Sequence, residues 1–210
     1  MSLNTQSWTA PEVGALFVVT GASGTGKTTL VQAALNAVPG ITFSVSATTR
    51  PMREGERDGV DYHFLNRDTF MAHVEAGDFL EWAEVYGNYY GTLRAPVEAA
   101  RTAGQSILLD IDTQGAAQVR ASGVDHLSVF ILPPSMASLR ARLAARGTDN
   151  DTVIDRRMRE AHLQLSECGH FDHVVVNDQL ESAHDQFQAV LIAELTRASR
   201  HLGLIAQFSD

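Results

Sequence analysis

The chain has 210 residues, a formal net charge of −9 and a single cysteine. This length suffices for one α/β domain with its own hydrophobic core, and the acidic balance argues against nucleic acid as the main partner, because an acidic surface repels a polyanion. No apolar run reaches the ~18 residues of a membrane span, and the first dozen residues lack the basic start and apolar stretch of a secretion signal, so we expect a cytoplasmic protein without a membrane partner.

A phosphate-binding loop is predicted near the start of the chain. Residues 15–20 form a short apolar stretch typical of a buried strand, and residues 29–38 have helical spacing that ends at Pro39. The residues between them, which we call the phosphate loop, are Gly21, Ala22, Ser23, Gly24, Thr25, Gly26, Lys27 and Thr28, and they match the pattern G-x-x-x-x-G-K-[ST]. In this pattern the backbone N–H groups and the lysine bind phosphates, and the last hydroxyl ligates Mg²⁺. Lys27 is the only lysine in the sequence.

The composition changes after a second predicted strand at residues 41–46. Residues 47–94 contain all four tyrosines and one of the two tryptophans, in short alternating segments. Within them we predict a helix over 67–76 and strands over 79–92 around a turn at Gly87. These features indicate a small inserted subdomain.

Strands and helices alternate again after residue 94. We predict a helix that begins near Pro96 and ends near Gly104, followed by a strongly apolar strand over 107–109. The remaining predicted elements are a strand at 127–132, two charged helices at 135–146 and 152–167, a strand at 173–176 and a terminal helix at 182–201. This alternation predicts an α/β fold with a mainly parallel sheet and helices on both faces.

Two carboxylates follow the apolar strand at 107–109. Asp110 and Asp112 are two residues apart, so they point the same way at the carboxyl end of the strand, where open α/β sheets bind their ligands. An acidic residue at this place in phosphate-loop proteins commonly helps to hold Mg²⁺. We assign that role to Asp110, which leaves Asp112 for another partner. The alternative for either residue is that it caps the following helix.

Arginine side chains supply the local positive charge that an anionic substrate needs. Arg50 and Arg53 lie on either side of Pro51, and their guanidinium groups match phosphate oxygens in shape and charge. Tyr62 and Tyr90 offer hydroxyl donors nearby, with packing as the alternative role. A second group consists of Arg140, Arg142, Arg146, Arg156, Arg157 and Arg159. For this group a solvated helix surface and a functional role are both open.

The chain resembles the guanylate kinase family over residues 15–195. The motifs that carry the resemblance are Ser46-x-Thr48-Thr49-Arg50-x-x-Arg53-x-Gly55-Glu56-x-x-Gly59-x-Asp61-Tyr62-x-Phe64, Phe79-Leu80-Glu81-Trp82, Gly87-Asn88-Tyr89-Tyr90-Gly91-Thr92, Asp110-Ile111-Asp112-x-Gln114-Gly115, Arg146-Gly147-Thr148 and Val175-Val176-Asn177-Asp178. They occur in the family's order. Two features depart from the pattern: Ala22 stands where proline is frequent, and about a dozen residues extend the N-terminus.

The resemblance implies a P-loop nucleoside monophosphate kinase-like enzyme that transfers the γ-phosphoryl group of ATP to GMP, with Mg²⁺. It leaves dGMP use and the oligomeric state open. The implied ATP site comprises the phosphate loop, Thr29 and Asn177, and the implied metal ligands are Thr28 and Asp110. The implied GMP site comprises Arg50, Arg53, Tyr62 and Tyr90 at the phosphate, and Ser46, Glu81, Thr92 and Asp112 at the guanine. Lys27, Arg50 and Arg53 act on the phosphates in transfer, together with the lid arginines Arg146 and Arg157.

The resemblance also implies a division of the chain. Residues 1–13 form an N-terminal extension, and residues 14–210 form the kinase-like domain. Within that domain the core comprises 14–46, 95–134 and 168–210, the GMP-binding insertion comprises 47–94, and the lid comprises 135–167.

The chemistry of these residues agrees with a guanine nucleotide as acceptor. Guanine presents one acceptor, O6, and two donors, N1–H and N2–H, so a selective pocket needs carboxylates such as Glu81 and Asp112 and hydroxyls such as Ser46 and Thr92. No general base is required, because a phosphate monoester with a second pKa of about 6 is mostly dianionic at neutral pH. The remaining obstacles are charge repulsion and alignment, which cations and positioning residues overcome.

Two other functions are weighed against this one. A guanylate kinase-like phosphopeptide-binding module typically lacks a working phosphate loop, and a related kinase for phosphorylated sugars would not need four guanine-binding residues together.

A separate segment of the chain, Cys168 with His170 and His173, resembles part of a metal site. A fourth ligand is not evident, so packing or surface roles are favoured for these side chains.

Overall fold

The apolar segments of the sequence become the strands of two sheets in the computed structural model, which describes residues 9–85, 87–145 and 150–208. The strands are β1 (Leu16–Thr20), β2 (Ile41–Phe43), β3 (Ala47–Thr48), β4 (His63–Phe64), β5 (Phe79–Val85), β6 (Asn88–Leu93), β7 (Ser106–Asp110), β8 (Leu127–Leu132) and β9 (His173–Val176). The α-helices are α1 (Lys27–Ala37), α2 (Arg67–Ala76), α3 (Arg94–Thr102), α4 (Thr113–Ala121), α5 (Met136–Ala145), α6 (Asp151–Ser166), α7 (Leu180–Leu195) and α8 (Leu202–Ala206).

The larger sheet, as far as the chain is described, has five parallel strands in the order β2-β7-β1-β8-β9. Its central strand β1 is fully buried because helices cover both faces. Phe17 and Val19 pack with α1 and α7 on one face, whereas Leu16 and Val18 pack with α3 and α4 on the other. The predicted α/β fold with a mainly parallel sheet is therefore confirmed, and the carboxyl ends of β1 and β7 lie side by side.

The smaller sheet is formed by strands that lie between residues 47 and 93, in the order β4-β3-β6-β5. Strand β3 pairs in parallel with β4 and antiparallel with β6, which pairs antiparallel with β5. Phe70 of α2 stacks on Phe79 and Tyr89, with ring centroids 4.5 and 5.5 Å apart. These aromatic contacts give the smaller sheet a hydrophobic cluster of its own.

Two predicted elements end three or more residues earlier in the structure than expected. The second strand was expected over 41–46 but ends at Phe43, since Ala47 and Thr48 pair with β4 and β6 of the smaller sheet instead. The terminal helix was expected to reach residue 201 but ends at Leu195, and a 3-10 turn at Ala198–Arg200 and the short helix α8 follow.

A buried ion pair ties the end of the chain to the amino end of β1. Arg200 and Glu194 are each 4 % exposed and form a salt bridge, and Arg200 also reaches Asp125 Oδ2 at 3.1 Å. The same guanidinium donates to the Gly14 carbonyl oxygen at 3.3 Å, just before β1. This network explains why the chain turns back after α7 instead of extending the helix.

Candidate active site

The phosphate loop joins the carboxyl end of β1 to the first turn of α1. Gly26, the N-cap of α1, has φ of 85°, and no side chain caps the helix. The N–H groups of the first turn therefore have no intrahelical partner, which is the arrangement that binds anions at helix N-termini. A side chain at Gly26 would collide with the amide nitrogen of Asn177, so glycine is needed here for the backbone conformation and for the close packing.

The interior of the loop is held by hydrogen bonds to its own backbone. The Thr25 hydroxyl donates to the Ala22 carbonyl at 2.9 Å, and the Thr25 carbonyl accepts from the Asn177 side chain at 2.8 Å. Arg142 Nη2 donates to the Asn177 carbonyl at 2.8 Å. Thr25 and Asn177, which belong to the predicted ATP site, have buried side chains that hydrogen-bond to the backbone of the loop.

Lys27 and Asp110 form an ion pair across the ends of β1 and β7, and each side chain is 18 % exposed. The lysine stands in the first turn of α1, and the aspartate is the last residue of β7. Thr28 and Thr29 follow Lys27 and are exposed. The structure thus pairs the cation of the phosphate loop with the carboxylate predicted to serve the metal.

Two cavities meet at residues 110–112. The donor-side cavity, of about 280 Å³, is lined by the phosphate loop and α6, and it includes Lys27 and Arg157. The acceptor-side cavity, of about 360 Å³, is lined mainly by the smaller sheet. Its predicted site residues are Ser46, Tyr62, Glu81, Tyr90, Asp110 and Asp112. Both cavities are lined by Asp110, Ile111 and Asp112, so they adjoin at these residues.

The carboxylate and hydroxyl oxygens around the donor-side cavity suit a hard cation. Asp110 lines it, and Thr28, the other predicted metal ligand, lies in the adjacent first turn of α1. Mg²⁺ prefers oxygen ligands and is commonly held by one or two carboxylates together with substrate phosphates. The residues present therefore fit the predicted magnesium ion.

Glu81 is the most deeply buried carboxylate of the acceptor-side cavity, at 7 % exposure. Its Oε1 accepts from the Thr92 hydroxyl at 2.6 Å, across a β5–β6 pair. Burial raises the pKa of Glu81 to about 7, and the nearby charge of Asp112 adds to this, whereas the hydrogen bond from Thr92 opposes it. Glu81 is thus a carboxylate that titrates near neutral pH inside the cavity.

Asp112 shows the alternative role that the sequence left open. Its Oδ1 accepts from the Gly115 N–H at 2.8 Å and so caps α4. The residue nevertheless lines both cavities and is exposed. One carboxylate therefore stabilises the helix and still faces the cavities, so the two roles do not exclude each other.

Arg50 lies beside Tyr62, which lines the acceptor-side cavity, although Arg50 itself does not line it. The Arg50 guanidinium carbon is 5.4 Å from the centre of the Tyr62 ring, and Tyr62 packs edge-on against Tyr90 at 6.1 Å. Arg50 Nη2 also donates to Glu56 Oε1 at 2.7 Å, while Glu56 Oε2 accepts from the Arg53 N–H at 2.8 Å. The side chain of Arg53 is exposed, and Arg53 does not line either cavity.

The later arginines divide into different environments. Arg140 pairs with Asp155 at 2.6 Å, and Arg156 lies 3.8 Å from Glu160 one turn along α6. Arg142 supports the phosphate loop as described, and Arg157 lines the donor-side cavity. Arg146, predicted as a lid residue, lies outside the described residues.

The cysteine–histidine segment does not assemble into a metal site. His170 is 3.8 Å from Glu167 in a 3-10 turn. Over residues 9–85, 87–145 and 150–208, no group of three or more His, Cys, Asp or Glu side chains is placed to hold a metal ion.

Comparison with known proteins identifies the family. The family model for guanylate kinase matches residues 14–194. The chain is 50 % identical to the guanylate kinase of Symbiobacterium thermophilum over 188 residues, 90 % of this chain and 89 % of that one. It is 49 % identical to that of Chromohalobacter salexigens over 190 residues, 90 % and 88 % of the two chains. The chain belongs to the guanylate kinase family.

A solved structure agrees with this assignment. The crystal structure of guanylate kinase from Anaplasma phagocytophilum superposes with a TM-score of 0.67 and 34 % identity, covering 91 % of each chain. As a member of this family the protein is a kinase, an enzyme that transfers a phosphoryl group. Neither the relatives nor the structural neighbour supports a phosphopeptide-binding module or a sugar-phosphate kinase.

Several residues that shape this guanylate kinase site have no role predicted from the sequence. Glu56 was noticed only as part of a motif, yet it binds the Arg50 side chain and the Arg53 backbone. Arg142, for which the sequence leaves two roles open, bonds to the phosphate loop and Asn177. Gln118 carries no signal in the sequence and contacts β5 next to Glu81. The family motif offers a signal for Glu56 alone, because the other contacts join residues far apart in the chain.

In the described part of the chain, no helix combines the length and the hydropathy needed to cross a bilayer.

Proposed function

We propose that the protein is an ATP:GMP phosphotransferase, which transfers the γ-phosphoryl group of ATP to GMP and gives ADP and GDP. The observation that carries the proposal is the meeting of two cavities at Asp110–Asp112, one built on the phosphate loop and one containing Glu81. A donor in the first and an acceptor in the second would bring their phosphates together where the cavities adjoin at residues 110–112, and direct in-line transfer requires this contact.

On the donor side, the backbone of the phosphate loop and Lys27 bind the ATP phosphates in this proposal. The unpartnered N–H groups at the start of α1 provide fixed donors, and the ammonium adds a compact, mobile charge. When phosphates enter, they compete with Asp110 for Lys27, which makes the carboxylate available. Mg²⁺, when bound by Thr28 and Asp110, would supply further positive charge to the phosphate oxygens.

On the acceptor side, Arg50, Arg53, Tyr62 and Tyr90 hold the GMP phosphate. Glu56 keeps the Arg50 guanidinium beside the Tyr62 ring, so less side-chain freedom is lost when the phosphate binds. Arg53 is exposed in the same loop, and it would reach the phosphate only when that loop closes.

The guanine base is bound by Ser46, Glu81, Thr92 and Asp112 in this proposal. Ionised Glu81 accepts hydrogen bonds from guanine donors, and the Ser46 hydroxyl donates to O6. The Thr92 hydroxyl, whose single proton goes to Glu81 in the free site, donates to O6 only when guanine displaces it from the carboxylate. Adenine would leave Glu81, the buried carboxylate of this set, without the donors that guanine offers, which is the source of selectivity. No side chain is assigned as a general base, because the attacking phosphate is already an anion. The lid arginines, Arg146 and Arg157, complete the charge around the phosphates.

The proposal includes the domain division described above, ATP and GMP as partners, and a cytoplasmic reaction. Its test is an ADP-release assay with GMP, AMP, CMP, UMP and a phosphorylated pentose as acceptors. We expect GMP to be used at least ~100-fold better than AMP in kcat/KM, because a pocket built to pair polar groups rejects mismatched ligands strongly. Equal use of GMP and AMP, or preference for the sugar phosphate, would contradict the proposal.

Replacing Arg50 with alanine is expected to raise KM for GMP and to lower kcat while KM for ATP stays unchanged. A charge-assisted hydrogen bond is worth about 1.5–3 kcal/mol, so kcat/KM for GMP should fall by roughly 10- to 100-fold. Steady-state kinetics with each substrate varied in turn provide the measurement. The control is Arg140→Ala, which removes an exposed ion pair with Asp155 and should leave both KM values alone. Wild-type kinetics in Arg50→Ala would remove Arg50 from the site.

A further inference from the structure

Gln118 lies on α4, a helix of the larger sheet, and its side chain binds the backbone of the smaller sheet next to Glu81. Gln118 of α4 donates from Nε2 to the Trp82 carbonyl at 2.8 Å and accepts at Oε1 from the Trp82 N–H at 3.1 Å. Both polar atoms of the amide are therefore matched with both backbone groups of a single residue.

The position of these bonds follows from the topology. Strand β5 is the edge strand of the smaller sheet, so the backbone groups on its outer side have no neighbouring strand to pair with. Gln118 satisfies those of Trp82, and it does so from a helix that packs on the larger sheet. Such a contact fixes where the edge strand lies with respect to α4, because two parallel hydrogen bonds restrict both translation and rotation.

The same helix also sets the surroundings of the two carboxylates in the acceptor-side cavity. Asp112 is the N-cap of α4 and is bound to Gly115. Gly115, three residues before Gln118, approaches Glu81 so closely that an added Cβ would lie 2.9 Å from Glu81 Oε2. One helix thus carries Asp112 directly and holds Glu81 through the backbone of the residue next to it.

We infer that Gln118 is a positioning residue for guanine recognition, which holds Glu81 at the distance from Asp112 that the guanine edge requires. The inference rests on the proposed function, since it takes Glu81 and Asp112 as the groups that bind the base. Gln118 itself touches no substrate in this account and acts through Trp82.

The experiment compares Gln118→Met with Glu81→Gln and with the double variant. Methionine has a similar length and fills the same space without the two hydrogen bonds. We expect KM for GMP to rise about tenfold, the loss of one to two net hydrogen bonds, while kcat and KM for ATP stay within about twofold of the wild type, since the donor side is untouched. The control is Gln188→Met, the same change on α7, where the side-chain amide hydrogen-bonds to His184 at 2.9 Å; its kinetics should match the wild type.

The double variant distinguishes positioning from a general structural effect. If Gln118 acts through Glu81, adding Gln118→Met to Glu81→Gln should change KM for GMP by less than about twofold, because coupled residues are not additive. Additive losses, or an unchanged KM for GMP in Gln118→Met, would overturn the inference. An unchanged KM in Glu81→Gln alone would instead refute the assignment of Glu81 in the proposed function. Should Gln118→Met fold poorly, Gln118→Asn gives the same comparison, since its amide is one methylene too short to reach Trp82.

Discussion

Replacing Lys27 with alanine is expected to lower kcat by about 10²- to 10³-fold, the usual loss when one fixed donor to a transferring group is removed. Lys27 is the cation of the phosphate loop, and it forms an ion pair with Asp110, one of the residues that line both cavities. Because phosphoryl transfer is limited by charge stabilisation and alignment, the loss should fall mainly on kcat. Steady-state ADP release with both substrates saturating provides the measurement.

Lys27→Arg is the matched comparison for this variant. It keeps the charge but replaces a compact ammonium with a larger planar group, in a loop where the neighbouring Gly24 and Gly26 have positive φ angles. We expect it to recover only part of the lost kcat. Thermal unfolding of each variant shows whether the released Asp110 carboxylate disturbs the fold. Activity of Lys27→Ala within threefold of the wild type would mean that the phosphate loop is not the donor site.

Replacing Glu81 with glutamine is expected to lower kcat/KM for GMP by about 10- to 100-fold, since leaving a buried hydrogen-bonding group unpaired costs about 1–3 kcal/mol. The amide keeps an oxygen that accepts from the Thr92 hydroxyl, so the β5–β6 contact at this point is preserved. What it loses is the second acceptor that faces the guanine donors. Kinetics with GMP and AMP should show the loss for GMP alone, and an equal loss for both nucleotides would contradict base recognition by Glu81.

The pH dependence of GMP use tests the same residue. Because the pKa of Glu81 is raised to about 7, its ionised fraction falls as the pH falls through 7, and KM for GMP in the wild type should rise toward pH 6. The phosphate of GMP titrates nearby, at about 6. In Glu81→Gln the GMP phosphate still titrates but residue 81 does not. The difference between the pH profiles of the variant and the wild type therefore isolates the titration of Glu81. Identical profiles would show that Glu81 does not titrate in the site.

Stability changes in the opposite direction from activity. A carboxyl group whose pKa is raised in the folded state stabilises the protein below its unfolded pKa of 4.5, and that contribution is lost as the pH rises through about 7. At pH 8 the wild type therefore carries an ionised, buried carboxylate that Glu81→Gln removes. We expect Glu81→Gln to have a Tm at pH 8 equal to or above that of the wild type, which separates its loss of activity from unfolding.

Local signals in the sequence were sufficient for several elements of the fold. Helix α2 was predicted with its observed bounds because Asn66 caps its start, with Oδ1 accepting from the Thr69 N–H, and Gly77 ends it with φ of 72°. Strands β8 and β9 also have their predicted bounds, since each is a short apolar run between polar segments. In these cases the residues that decide the structure are close together in the chain.

The rest depends on pairs that are distant in sequence. Nothing near Ser46 indicates that the chain leaves one sheet and enters another, because the partners of Ala47 are His63 and Gly91. The early end of α7 likewise depends on Arg200 reaching back to Glu194 and across to Asp125.

The candidate site divides in the same way. The motifs named Glu81, Asp112 and Lys27 as site residues. In the structure Glu81 and Asp112 line the acceptor-side cavity, and Lys27 lines the donor-side cavity. The motifs could not indicate that Lys27 contacts Asp110, that Thr25 turns inward, or that Glu56 holds Arg50. These contacts depend on side-chain geometry, which spacing along the chain does not determine.

The network around Arg200 has a practical consequence for handling the enzyme. It fastens the last helical turns to the amino end of β1, whereas the cavities open at the carboxyl ends of β1 and β7. In a parallel sheet the amino and carboxyl ends of the strands lie on opposite sides, so the network around Arg200 and the cavities are on opposite sides of the sheet. Immobilisation or fusion through the C-terminal end should therefore leave substrate entry and product release unobstructed.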